Sequence, residues 1–82
     1  MSNKLKELIA QEGVIVSLKA LRRAKGFSQE GLAAKCGIAR STLYRLEQGL
    51  DNPTLATMAA IAHQLDVSVG TIADAIFTYY GK

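Results

Sequence analysis

The segment from Arg40 to Gln48 concentrates the side chains of this 82-residue chain best suited to specific polar recognition. On a helical wheel advancing about 100° per residue, setting Leu43 inward brings Leu46, Ala39 and Glu47 to the same side. The opposite face then carries Ser41, Tyr44, Arg45 and Gln48, flanked by Arg40 and Thr42. Every one of these can donate a hydrogen bond and none is acidic, which is what base edges and phosphates in a DNA major groove require. Glu47 is the exception, because a carboxylate among apolar neighbours needs a partner once buried. Arg22 lies beside Leu18 on the apolar stripe of an earlier helix, so an Arg22–Glu47 ion pair is expected to lock the two helices together. Other reactive types are sparse. Cys36 and His63 are the single cysteine and histidine, so neither an internal disulfide nor a metal cluster can be assembled from them. Cys36 reads as a small inward residue and His63 as an outward, solvated one.

The elements that must position these residues are bounded by turn signals at Gly26, at Gly37, from Gly49 to Pro53, and from Asp66 to Ser68. The Ala- and Leu-rich segments between them are too long for typical strands and lack two-residue alternation, which predicts an all-α chain. The first helix closes at Lys25-Gly26 and carries Val14, Leu18, Leu21 and Ala24 as its apolar stripe. Upstream, Leu5, Leu8 and Ile9 form an amphipathic turn or two that either continues this helix or breaks from it at Gly13. The second helix opens on Ser28 as N-cap, turns Leu32, Ala33 and Cys36 inward, and stops at Gly37. The third runs from about Ala39 to Gln48. So short a turn between the second and third demands a sharp crossing, with small Ala33 at the contact and Gly37 free to take positive φ. With Ile38, Leu43 and Leu46 as apolar anchors, this is a helix-turn-helix signal. The fourth helix, capped by Thr54, is expected to bury Leu55, Met58, Ala59, Ala62 and Leu65. The fifth, capped by Ser68, is expected to present Val69, Ile72, Ala73, Ile76, Phe77 and Tyr80 as a regular stripe.

Composition narrows the function classes. Hydrophobic residues at 49% with charged residues at 21% describe a folded chain, and its length allows a single small core. Residues 1–45 carry nine basic and three acidic side chains, whereas residues 46–82 carry one and four. The first half is therefore the candidate polyanion-binding surface, and the second half the scaffold. No apolar stretch approaches the roughly 20 residues of a membrane helix, and the polar start precedes no signal-peptide core, so a cytoplasmic protein is expected. An enzyme is not expected, for want of a nucleophile–base pair, a carboxylate pair or a phosphate-cradling glycine loop.

Gly26, Ser28-Gln29, Leu32-Ala33, Gly37, Leu46-Glu47 and Gly49, followed by Asn52-Pro53-Thr54-Leu55, resemble the Xre/Cro-type domain of lambda-repressor-like regulators over residues 14 to about 76. The resemblance implies a compact five-helix DNA-binding domain over residues 14–82, including a C-terminal dimerisation helix, with residues 1–13 as an N-terminal helical extension. It implies a homodimer on a (pseudo)palindromic operator, with helix three in the major groove. Arg40, Ser41 and Arg45 fall at its principal base-reading positions and Thr42 and Tyr44 at flanking ones. Gln29 falls where such domains contact phosphate and brace the recognition helix, Asn52 falls at a second backbone-contacting position, and Lys35 and Gln48 are added as further phosphate contacts. Arg22 and Glu47 match its buried ion pair. Ile76, Phe77, Tyr79 and Tyr80 are the expected dimer contacts, aromatic residues being favoured interface anchors. Neither cofactor nor small-molecule ligand is implied; RNA polymerase is a possible protein partner. The family embraces Cro-like repressors, restriction-modification controller proteins and, as an alternative function, antitoxins that bind a toxin and regulate their own operon. Three residues depart from its pattern. Gly31 stands for an acidic residue, Ala39 for a capping hydroxyl or carboxamide, and Asp51 for a base whose charge would favour phosphate.

Overall fold

The computed structural model describes residues 16–79, all of whose regular structure is helical. Helix α1, Leu18–Lys25, starts where the Ser17 hydroxyl accepts the Ala20 amide at 3.1 Å. Ser17 is extended, with φ −67° and ψ 156°, so no upstream helix runs continuously into α1. The helix thus begins later than a stripe led by Val14 implies, and the expected extension over residues 1–13 lies outside the described residues. Gly26 ends α1 with φ 90°, a conformation that strains any residue with a Cβ.

Helix α2, Gln29–Cys36, is capped by Ser28, whose Oγ accepts the Gly31 amide at 2.9 Å. Gly37 closes it with φ 72°, and the chain turns through Ile38 and Ala39 into α3, Arg40–Glu47. The Ile38 amide returns to the Ala33 carbonyl at 3.0 Å, while Ala33 is buried and Ile38 packs on the core from the turn. Helix α3 starts without a side-chain cap because Ala39 has nothing to offer the first-turn amides. Helix α4, Leu55–Leu65, is capped by Thr54 and ends on Asp66 at φ 58°. Helix α5, Val69–Ala73, is capped by Ser68 and continues without a break into a wider, π-type turn over Asp74–Thr78.

The core joins Leu18 and Leu21 of α1, Leu32 and Ala33 of α2, Leu43 and Leu46 of α3, Ile61, Ala62 and Leu65 of α4, and Ile72, Ala75 and Ile76 of α5 and its continuation. Two expectations need correction. In α4 the first turn overhangs the core, leaving Leu55 69% exposed and Ala59 exposed, while Ile61, absent from the expected stripe, is fully buried. In α5 the stripe is Ile72, Ala75 and Ile76, with Ala73 only half-buried and Phe77 exposed. The buried positions keep the helical spacing i, i+3, i+4, but packing centres the stripe on the side of Ala75, which leaves Ala73 and Phe77 at its margin.

Candidate nucleic-acid interface

Helix α3 sits on the core through Leu43 and Leu46, and this fixes its outward face. Arg40, Ser41, Tyr44, Arg45 and Gln48 are exposed on it, and Thr42 is half-buried at its flank. Glu47 turns inward, 2% exposed, opposite Arg22 at 6%. Arg22 Nε donates to Glu47 Oε2 at 2.6 Å and Nη2 to Oε1 at 3.2 Å, a two-pronged pair joining α1 to α3. Its remaining nitrogen, Nη1, donates to the Phe27 carbonyl at 2.8 Å. Among the described residues no buried side-chain polar atom lacks a partner, which is the condition under which a buried ion pair is tolerated.

The pair also reaches the exposed face. Gln29 Nε2 donates to Glu47 Oε1 at 3.0 Å, and Arg40 Nη1 approaches Gln29 Oε1 at 3.4 Å. A carboxylate can only accept, so the Gln29 amide must turn its nitrogen to Glu47 and its oxygen to Arg40. A buried charge thereby sets the orientation of a surface guanidinium two contacts away. At the other end of α3, Arg45 Nη2 donates to the Leu50 carbonyl at 3.2 Å, and Nε lies 3.6 Å from Asp51 Oδ2. The Asn52 amide donates to Asp51 Oδ1 at 3.1 Å. Lys35 is exposed near the end of α2, and Asn52 is exposed ahead of α4.

The structure separates the four residues expected at a dimer seam. Ile76 is 3% exposed and belongs to the monomer's own core, so it offers no surface to a second copy. The expectation for Ile76 is corrected on that ground. Phe77 and Tyr79 are each 43% exposed, and Tyr80 lies outside the described residues. His63 is exposed on α4. Cys36 packs against the core, and burial raises its thiol above the ordinary value, which leaves less of the nucleophilic thiolate. Sequence reasoning missed the tethers on Arg45, and the resemblance gave Gln29 a bracing role toward the recognition helix without naming Glu47 as its partner. A wheel shows which residues of one helix share a face; it shows neither how a loop folds back nor which neighbouring helix lies opposite.

A family model described as Helix-turn-helix matches residues 18–72, spanning all of α1 to α4 and the first residues of α5. This chain belongs to the helix-turn-helix family of the Xre, lambda-repressor-like type. The family is one of DNA-binding transcription regulators. The chain is 40% identical over 58 residues to the HTH-type transcriptional regulator SinR of Bacillus subtilis (strain 168), covering 70% of this chain and 52% of SinR. It therefore spans about half the length of that relative. It is 37% identical over 59 residues to the antitoxin HipB of Escherichia coli (strain K12), covering 72% of this chain and 66% of HipB. Among solved structures, it is similar to the restriction-modification controller protein C.AhdI from Aeromonas hydrophila, with a TM-score of 0.64 and 38% identity over 67% of this chain and 83% of that one. No helix of the described residues is long and apolar enough to cross a membrane. Among them, no group of three or more His, Cys, Asp or Glu side chains could hold a metal ion.

Proposed function

We propose that this helix-turn-helix chain is a sequence-specific DNA-binding regulator of transcription that acts as a homodimer on a (pseudo)palindromic operator in the cytoplasm. The observation that carries the reading is the acid-free donor face of α3, braced from beneath by the Arg22–Glu47–Gln29 network. In this reading α3 enters the major groove, where Arg40, Ser41 and Arg45 address base edges and Thr42 and Tyr44 contact flanking positions. Gln29, Lys35, Gln48 and Asn52 hold phosphates on either side and set the register. One domain of this size covers too little DNA for strong discrimination, which favours two copies on half-sites about 34 Å apart. Exposed Phe77 and Tyr79 support the continuation of α5 through the π-type turn as the seam. Bound to DNA, the protein would exclude polymerase from an overlapping promoter, or touch polymerase at a neighbouring one.

Selection of duplexes from a random-sequence pool by the purified protein tests the reading, followed by titration of single base-pair variants. Arg40→Ala should lose preference at one position per half-site, at about 1–3 kcal/mol, with other positions unchanged. A pool that shows no enrichment, or an Arg40→Ala variant with intact preference, would count against it. The 37% identity to HipB favours a second reading, in which the chain binds a toxin protein as well as DNA. Co-purification of a stoichiometric partner from the native host would support that role, and recovery of the chain alone would oppose it.

A further inference from the structure

The loop after α3 places an acidic residue against a guanidinium of the donor face, where its charge works against phosphate binding. Both side chains stay about half exposed, 53% for Arg45 and 44% for Asp51, so the pair adds little to folding. Its consequence lies in geometry. A guanidinium is planar, and its Nε–H and one Nη2–H project along the same side edge. The loop faces that edge: Nη2 donates to the Leu50 carbonyl at 3.2 Å, and Nε lies 3.6 Å from Asp51 Oδ2, an ion pair longer than a hydrogen bond. The carboxylate is itself steadied, since its second oxygen accepts the Asn52 amide. At the far end of the guanidinium Nη1 has no acceptor among the described residues, and Nη2 keeps a second N–H beyond its bond to the Leu50 carbonyl. Two parallel N–H groups at that end match the paired O6 and N7 acceptors of guanine in the major groove.

We propose that Asp51 is a positioning residue for Arg45: with the Leu50 carbonyl it holds the side edge of the guanidinium, so that the Nη1–Nη2 end addresses a guanine and not a phosphate. The inference rests on the reading of α3 as the base-contacting helix. Asp51 turns a mobile cation, which would bind any duplex, into a fixed two-pronged donor. Its negative charge near the backbone lowers affinity for all sequences, and in exchange raises discrimination at one base pair.

The test uses the full chain and a duplex that the wild-type protein selects from a random-sequence pool, with every single base-pair variant titrated at two salt concentrations. Arg45→Ala identifies the base pair that Arg45 reads. Asp51→Ala and Asp51→Asn should each lower preference at that same position about five- to tenfold and leave the other positions as they were. Both should tighten binding to an unrelated duplex and steepen the salt dependence by about one unit of slope. Added to Arg45→Ala, the Asp51 substitutions should change no base preference. If Arg45→Ala shifts a preference and the Asp51 variants do not, the positioning role is overturned while the reading of α3 stands. If Arg45→Ala shifts none, both fall. A uniform loss at all positions in the Asp51 variants would assign Asp51 to loop structure and overturn the proposal as well.

Discussion

At the scale of single residues, Glu47 shows how one side chain can be structural and still govern a surface. It is buried, it accepts from Arg22 on α1 and from Gln29 on α2, and it belongs to the helix whose outer face carries the donors. Glu47→Ala would strand the Arg22 guanidinium in the interior. The expected loss is about 3–5 kcal/mol, seen as a lowered midpoint in urea unfolding followed by circular dichroism. An unchanged midpoint would show that the pair does not hold α1 to α3. That Glu47 faces inward was legible, since it follows Leu43 by four and Leu46 by one. The Gln29 bond was not, because the distance between two helices is set by packing and leaves no trace in local spacing.

At the scale of elements, the recognition helix is the least well capped of the five α-helices among the described residues. Ser17, Ser28, Thr54 and Ser68 each accept a first-turn amide at the start of their helices, whereas Ala39 leaves those amides of α3 without a side-chain acceptor. Ala39 already has the extended backbone of an N-cap, with φ −70° and ψ 147°. Ala39→Ser should therefore stabilise the domain by about 1 kcal/mol with no change in backbone, read as a rise in the unfolding midpoint. A neutral or lower midpoint would mean that the serine hydroxyl finds another partner. The missing cap also leaves the amides at the start of α3 available to an anion, which suits a helix end presented to DNA. The turns at Gly26 and Gly37 were legible because both must take positive φ, and the caps Ser28, Thr54 and Ser68 because their partners are short-range; the cap at Ser17 was not, because the apolar stripe read from Val14 runs past it. The faces of α4 and α5 were less so. Leu55 overhangs the core, and the stripe of α5 and its continuation is centred toward Ala75 and not Ala73, because packing decides which of two helically spaced faces meets the core.

At the scale of the molecule, the proposed dimer turns on Phe77 and Tyr79, two aromatic side chains left half exposed at the chain's C-terminal side, away from the donors of α3 in sequence. Phe77→Asp should leave the monomer folded, since the side chain is outside the core, and should abolish a dimer measured by sedimentation equilibrium at micromolar concentration. It should also weaken binding to a two-half-site duplex far more than to a single half-site. A wild-type chain that sediments as a monomer and binds one half-site as tightly as two would remove the dimer from the model of action. The uneven charge of the sequence takes its place here. Arg22 is withdrawn into the core and Arg45 is held by Asp51, so the basic half presents fewer unpaired cations than its composition suggests.

The sequence by itself determined the helical class, the turns, the caps of α2, α4 and α5 and the outward side of α3, because each depends on neighbours within one or two helical turns. Only the tertiary structure decided where the core ends and what lies opposite each polar group. Packing withdrew Ile76 from the surface, left Leu55 exposed, joined Gln29 to Glu47 across helices, and folded the loop so that Asp51 meets Arg45. Burial and cross-element contact depend on how helices pack in three dimensions, and that geometry is a property of the whole chain.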